Sequence, residues 1–251
     1  MASTMGAQLM RMLVTRPEPD SQSSAARLEA LGIGASVAPM MQRETLDCSL
    51  PPPDGFKAMV LTSANAVRSL IDRGAVERYA HLPVLAVGDR TARDAEAAGF
   101  ARVSSAAGAL GDLVNAIALS GLGGPLFYPA GKHQSADLAH ALAPLGVMVV
   151  TAKIYDMVAV DALPAEVLAD LGNGAISAVL VYSRRTAEIF AQLADGLDRQ
   201  RRQSLAMLCM SEAVAEPLLA AHFSRIYLAD RPDEEAMMSL ALGFSRDQTR
   251  S

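Results

Sequence analysis

The sequence predicts an α/β protein of two domains, each a parallel sheet flanked by helices. A two-stranded antiparallel ladder is expected to join them, with domain one discontinuous. Three observations predict this. Short apolar runs alternate with helical patterns along almost the whole chain, which is the signature of parallel sheets. Blocks of sequence from one half recur in the other in a shifted order. Two strand-like segments, Met40 to Thr45 and Ala152 to Ala159, have no helix attached and fall between those blocks.

The elements follow in order. Met12 to Thr15 is an apolar strand, and Ser21 to Leu31 places Ala25, Leu28 and Leu31 at helical spacing before Gly32. Ala35 to Ala38 is the next strand. Three prolines at 51–53 cannot continue a helix or a ladder and mark a nearby boundary. Strand and helix then alternate: Ala58 to Leu61 with Asn65 to Ile71, Val84 to Val87 with Thr91 to Ala98, and Leu126 to Tyr128 with Ala136 to Leu145. After the second unattached segment come Ala178 to Val181 with Thr186 to Leu193, and Leu205 to Met210 with Ala213 to Ala221. Arg225 to Leu228 is a late strand before a last helix from Asp233.

The repeat sharpens the division. "VLTSANAV" at 60–67 resembles "LVYSRRTA" at 180–187, so Ser63 and Ser183 are equivalent. "LAVGDRTARDAEAAGF" at 85–100 resembles "LCMSEAVAEPLLAAHF" at 208–223. The block opening at Leu13 pairs with the one opening at Leu126. A first block that matches a late block of the other half requires an insertion. Domain one is therefore expected at 10–40 and 160–251, domain two at 46–150, and the ladder at 41–45 and 151–159.

Composition excludes several classes. Apolar residues make up 51% and charged residues 20%, which excludes a disordered chain. Aromatics reach only 4%, without Trp, and the net charge is -5. Neither suits nucleic-acid binding. Cys48 and Cys209 are isolated, so no disulfide framework or metal site is expected, and Cys209 reads as a buried inert thiol. Residues 1–9 read as an extension without a signal peptide, and Leu113 to Gly131 as helix, turn and strand, so no membrane span is expected. A cytoplasmic monomer is the expectation. Ala130-Gly131-Lys132-His133 lacks the spacing of a P-loop, and no dinucleotide or nucleophile-elbow motif occurs. His133 and His140 read as solvated helix histidines.

What remains is a set of strand ends, where open α/β sheets bind ligands. They carry Thr15-Arg16, Thr62-Ser63, Gly88, Tyr128 to Gly131, Tyr182-Ser183 and Ser211. Helix starts are expected after them, and helix N–H groups attract carboxylate or phosphate. Ser63 and Ser183 also read as N-caps, whatever the function. Arg16, Arg90, Lys132, Arg184 and Arg185 lie near these ends. The pattern points to an acidic ligand and to chemistry that depends on positioning.

From about Leu13 to Leu242 the chain resembles the uroporphyrinogen-III synthase family. The pieces are "LVTRP", "VLTSANAV", "LAVGDRTA", "LFYPAGK", "KIYDMV" and "VLVYSRRTAEIF", in that order. The resemblance implies a cofactor-free lyase acting on hydroxymethylbilane, a linear tetrapyrrole with eight carboxylates. Water is lost, the last pyrrole ring is inverted and uroporphyrinogen III closes. It implies Tyr155 as the residue that assists departure of the hydroxyl. Thr62, Ser63, Gly88, Thr91, Gly131, Lys132 and Ser183 match its strand-end positions. Together with Arg16 and Ser211 they are the expected substrate-binding set, acting mainly through backbone N–H groups in a cleft between the domains.

Two departures stand out. Many members have Gly-Pro-x-Thr-Ala where this chain has Ser211-Glu212-Ala213-Val214-Ala215, and the arginine that often follows "YPAGK" is absent. Glu212 either points outward or alters the anion site. The runner-up function is a non-catalytic binding module for an acidic ligand on the same scaffold. A nucleotide-sugar transferase is disfavoured, because neither half has a Gly-rich phosphate loop. Transient handover of substrate from the upstream deaminase is the one protein contact expected.

Overall fold

The computed structural model describes residues 10–106, 108–134 and 136–249; the extension read at 1–9 lies outside them. The strands are β1 (Arg11–Val14), β2 (Gly34–Val37), β3 (Met41–Thr45), β4 (Ala58–Leu61), β5 (Val84–Ala86), β6 (Val103–Ser105), β7 (Leu126–Gly131), β8 (Val149–Ala159), β9 (Ile176–Val181), β10 (Ala206–Cys209) and β11 (Arg225–Leu228). The helices are α1 (Asp20–Ala30), α2 (Ala64–Asp72), α3 (Val76–Tyr79), α4 (Asp89–Ala98), α5 (Leu110–Ser120), α6 (Leu138–Leu142), α7 (Ala165–Asn173), α8 (Arg184–Leu193), α9 (Arg199–Ser204), α10 (Glu212–Ala220) and α11 (Glu234–Thr249). The expected α/β alternation is present. Among the described residues, β6, α3, α7 and α9 are additional to it.

The chain forms two compact units. One takes in the chain up to Gln42 and from Val158 onward; the other is Arg43–Met157. Unit one holds a sheet of order β11-β10-β9-β1-β2, all parallel. Unit two is built on β8-β7-β4-β5-β6, also parallel, with β3 added beside β8. The β3–β8 pairing is antiparallel. Val160 N–H donates to Met40 O at 3.1 Å, whereas Leu46 N–H donates to Ile154 O at 2.8 Å, so partner numbers run in opposite directions.

The repeat is visible in these orders. Strand for strand, β2-β1-β9-β10-β11 matches β8-β7-β4-β5-β6. The pairs read from sequence, β9 with β4, β10 with β5 and β1 with β7, hold equivalent places.

Both faces of each sheet are covered, which is why the strands are apolar runs and not alternating ones. In unit one, Met12, Val14 and Leu180 pack with Leu28 of α1 and Met237 and Phe244 of α11. The alternate residues Leu13, Val179 and Met207 face Leu171, Phe190 and Leu218 of α7, α8 and α10. In unit two, Met59, Leu61 and Phe127 face α2, α3 and α4, and Ala58, Val60 and Leu126 face α5 and α6. Cys209 is fully buried, and burial pushes its thiol up to about 12, as suits an inert core residue. Among the described residues no helix is long and apolar enough to cross a membrane, and no cluster of His, Cys, Asp and Glu could hold a metal ion.

These orders give each sheet a switch point. Successive connections reverse direction between β4 and β7 in unit two, and between β1 and β9 in unit one. A parallel sheet opens at the carboxyl ends of its strands at such a point.

Candidate active site

At the carboxyl end of β4 and β7 lies a cavity of about 330 Å3. Its walls include Thr62, Ser63, Tyr128, Gly131, His133 and Tyr155. β4 is buried throughout, and the polar pair Thr62-Ser63 ends it where the chain turns into α2. Ser63 is extended at φ -156°, and its hydroxyl accepts the Asn65 N–H at 3.1 Å, capping α2. The Thr62 hydroxyl shares a 2.9 Å hydrogen bond with the Tyr128 hydroxyl.

β7 continues through Pro129, which no proline could do in the middle of a full ladder. Its pairing with β4 ends at Met59↔Phe127. Pro129 lies beyond, where its missing N–H leaves no bond unmade on that side. A register shift between Ala130 and Gly131 then sets Gly131 opposite Tyr155 of β8. The ring of Tyr155 occupies the space that a side chain at Gly131 would need. A Cβ there would sit 2.9 Å from Tyr155 Cζ. This close approach is the reason for glycine at 131.

Tyr155 and Tyr128 are 8% and 4% exposed. Burial pushes the Tyr155 phenol above its ordinary value, and negative charge on Tyr128 would push it further; a hydrogen bond from Ser63 acts in the opposite sense. Tyr128 is raised by burial too, against the bond with Thr62. Both phenols therefore keep their protons at neutral pH and are able to donate them. Beside them Asp156 is held below the usual carboxylate range, chiefly by its bond to Lys132 at 3.0 Å. The other oxygen of Asp156 is 3.6 Å from His133 Nε2.

Of the sequence-predicted residues, Thr62, Ser63, Gly131 and Tyr155 come together here. Lys132 adjoins them, but its N–H is bonded to Tyr155 O at 2.8 Å and its ammonium to Asp156. Backbone donation from Lys132 to substrate is therefore corrected. No helix starts directly after β7 either, since α6 begins only at Leu138. His133 thus lies in the bend after β7, not on a helix as expected. Gly88 caps α4, where a Cβ would meet Gly108 Cα at 3.4 Å. Thr91 is buried in the first turn of α4 and is not part of the cavity wall.

Arg16, Ser183 and Ser211 belong to unit one. Ser183 caps α8 by accepting the Thr186 N–H at 3.2 Å, and Ser211 precedes α10 without a side-chain cap bond. Arg16 is engaged internally. It pairs with Glu234 and, at 3.3 Å, with Asp20, and lies 4.3 Å over the Tyr182 ring. Ser24 and Tyr182 also donate to Glu234. The charge counted for a ligand is already balanced by carboxylates.

A sequence profile described as uroporphyrinogen-III synthase HemD matches residues 22–239. The chain belongs to the uroporphyrinogen-III synthase family. That family is a cyclising lyase of tetrapyrrole (haem) biosynthesis. Among solved structures, the uroporphyrinogen-III synthetase of Helicobacter pylori 26695 is similar, at 18% identity and a TM-score of 0.67. The match covers 94% of this chain and 100% of that one. A mutant uroporphyrinogen III synthase of the extremely thermophilic bacterium Thermus thermophilus is 18% identical, with a TM-score of 0.52, over 96% and 100% of the two chains. At such identities the likeness shows the shared fold. Comparison with curated protein sequences finds no match.

The structure also explains the departure at 211–215. Glu212 is exposed in the first turn of α10, whereas Val214 is buried in the core of unit one beside Leu218. The residue that replaces the family's threonine therefore packs.

Sequence reasoning places Tyr128 at a strand end but misses its hydroxyl as part of the site, and it misses Asp156. Tyr128 has a signal in the repeat: aligned blocks put Thr62 against Tyr182 and Tyr128 against Thr15, the same two side-chain types exchanged between strands. For Asp156, one acidic residue in a strand, the sequence holds no signal.

Proposed function

We propose that this chain closes hydroxymethylbilane to uroporphyrinogen III, with Tyr155 assisting loss of the hydroxyl. The observation that carries the assignment of Tyr155 is a buried, protonated phenol set against Gly131 in a cavity at a switch point. An electron-rich pyrrole expels a hydroxyl group readily when a proton is offered to the departing oxygen. The azafulvene so formed is electrophilic and can be attacked at more than one carbon. The unassisted reaction gives the wrong isomer, so the work of the protein is to hold one folded conformer. Thr62 keeps the Tyr128 phenol directed through their 2.9 Å bond, and Ser63 lies beside Tyr155 in the cavity wall. Thr62, Ser63 and Gly131 remain the substrate contacts of this reading, and Lys132, Gly88 and Thr91 lie at neighbouring strand ends of the same unit. The reaction needs no cofactor in this reading. The chain acts as a cytoplasmic monomer that receives its unstable substrate by handover from the deaminase.

The test is the isomer ratio of product formed from freshly generated hydroxymethylbilane. Predominant type III is expected. Type I alone, as without protein, would refute the enzyme and favour the binding module.

A further inference from the structure

Asp156 has an oxygen that the reaction above does not use. The residue is 7% exposed, and Lys132 holds Oδ2 at 3.0 Å. Oδ1 is buried without a hydrogen-bond partner of good geometry, while the Met157 N–H also helps to hold the carboxylate ionised. An orphaned oxygen on an ionised carboxylate is costly to keep. His133 Nε2 stands 3.6 Å from it, and His133 lines the same cavity as Tyr155. Bonds of this kind are often long without substrate and tighten when it binds.

The chemistry of the pair fixes a direction. An ionised carboxylate only accepts, so Asp156 can engage His133 only through an Nε2–H. That selects one tautomer and leaves Nδ1 as an acceptor with its lone pair available, as a carboxylate does for the base of a hydrolytic triad. Lys132 on the far oxygen keeps the carboxylate ionised.

We propose that His133, oriented by Asp156, is the base that accepts the proton released when the macrocycle closes. The proposal rests on the synthase reading. The bond inventory requires such an acceptor. The α-carbon at the free end of hydroxymethylbilane begins with a hydrogen and ends bonded to a methylene bridge. When that carbon–carbon bond forms, the C–H electron pair returns to the pyrrole ring and the proton leaves, here to Nδ1. The phenol of Tyr155 gives its proton to the departing hydroxyl, which leaves as water. His133 then returns a proton to the phenolate through the solvent of the cavity. The sum is substrate to product plus one water, with both side chains restored. Tyr155 is the acid, His133 the base and Asp156 a positioning residue.

The test uses the whole chain and hydroxymethylbilane. His133 is 61% exposed at its side chain, so His133→Gln leaves the fold intact. We expect kcat to fall by about 100-fold or more, because water is a poorer acceptor than a positioned base. KM should stay within about twofold and the product should remain type III, since the isomer is decided by conformer. Added imidazole should restore turnover to His133→Gly. Asp156→Asn should lower kcat in the same direction with no such rescue. An unchanged kcat in His133→Gln, a change in KM alone, or failure of imidazole to rescue His133→Gly would overturn the base. If the wild-type chain makes only type I, the synthase reading fails and the base falls with it; if it makes type III, these outcomes concern His133 alone.

Discussion

Gly131→Ala adds one methyl group at the point where the site is tightest. Its Cβ would lie 2.9 Å from Tyr155 Cζ and 3.0 Å from both Cε2 and the hydroxyl. Carbon atoms in ordinary contact stand about 3.5–4.0 Å apart, so the ring must retreat by about 0.5–1 Å. The backbone cannot yield instead, because Lys132 N–H is bonded to Tyr155 O at 2.8 Å directly across the two strands. Nor is there slack behind the ring, which packs in the core with Leu61, Phe127 and Ile154. Overpacking of this kind costs about 1–3 kcal/mol. A displacement near 1 Å at a positioning group can cost about 100-fold in rate. Urea unfolding and the initial rate of type III formation, measured on the same preparation, should show both losses. In a Tyr155→Ala background the added methyl should cost almost no stability, because the atoms it strikes are gone. Wild-type activity in Gly131→Ala would show that the phenol position is not what matters. An equal loss of stability in both backgrounds would show that the clash lies elsewhere.

Arg16→Met should lower the stability of unit one by about 1–3 kcal/mol, since Glu234 and Asp20 lose the cation that they share; a higher KM with unchanged unfolding would restore Arg16 to the substrate set. Ser183→Ala should cost about 1 kcal/mol as a lost cap and leave kcat alone. Ser63→Ala should cost as much and also slow turnover severalfold, because its hydroxyl serves the Tyr155 phenol as well; equal kinetics for the two variants would contradict that. Burial, then the Glu234 carboxylate, pushes Tyr182 from 10.0 up to about 12. The folded phenol therefore holds its proton where the unfolded one has lost it. The contribution is whole below pH 10 and disappears between pH 10 and about 12, up to about 2–3 kcal/mol. Urea titrations across that window should show a shallower fall in Tyr182→Phe, and an unchanged slope would argue against the assignment.

Apolar runs locate most strands because both faces of each sheet are covered, so runs such as Ala58-Met59-Val60-Leu61 contain no polar residue. The method fails where burial is slight. β6 offers only Val103 beside two serines. α9 contains no apolar residue at all, and its arginines hold it by donating to carbonyls: Arg201 to Leu171 and Ile176, Arg202 to Leu197 at 3.0 Å. No periodicity reports such bonds. At the site, the hydroxyls that end strands are legible. What is not legible is which charges neutralise one another. Arg16 and Lys132 look alike in sequence as cations after strands, yet each already faces a carboxylate from a distant segment, Glu234 and Asp156. The same limit conceals His133, whose partner comes from the next strand and not from its own neighbourhood.

Because β3 and β8 run side by side, the chain leaves Arg43–Met157 where it entered. A module whose two ends are neighbours can be spliced into a host loop at little cost in chain entropy. The matched strand orders say more. To give them, one copy must be opened at a different loop from the other, which is a circular permutation and again requires adjacent ends. The cavity, both phenols, His133 and Asp156 all lie within the spliced segment. A gene fragment covering it would carry the whole phenol-lined cavity as portable cargo, and grafting or swapping of that segment is the natural route to altered versions of the enzyme.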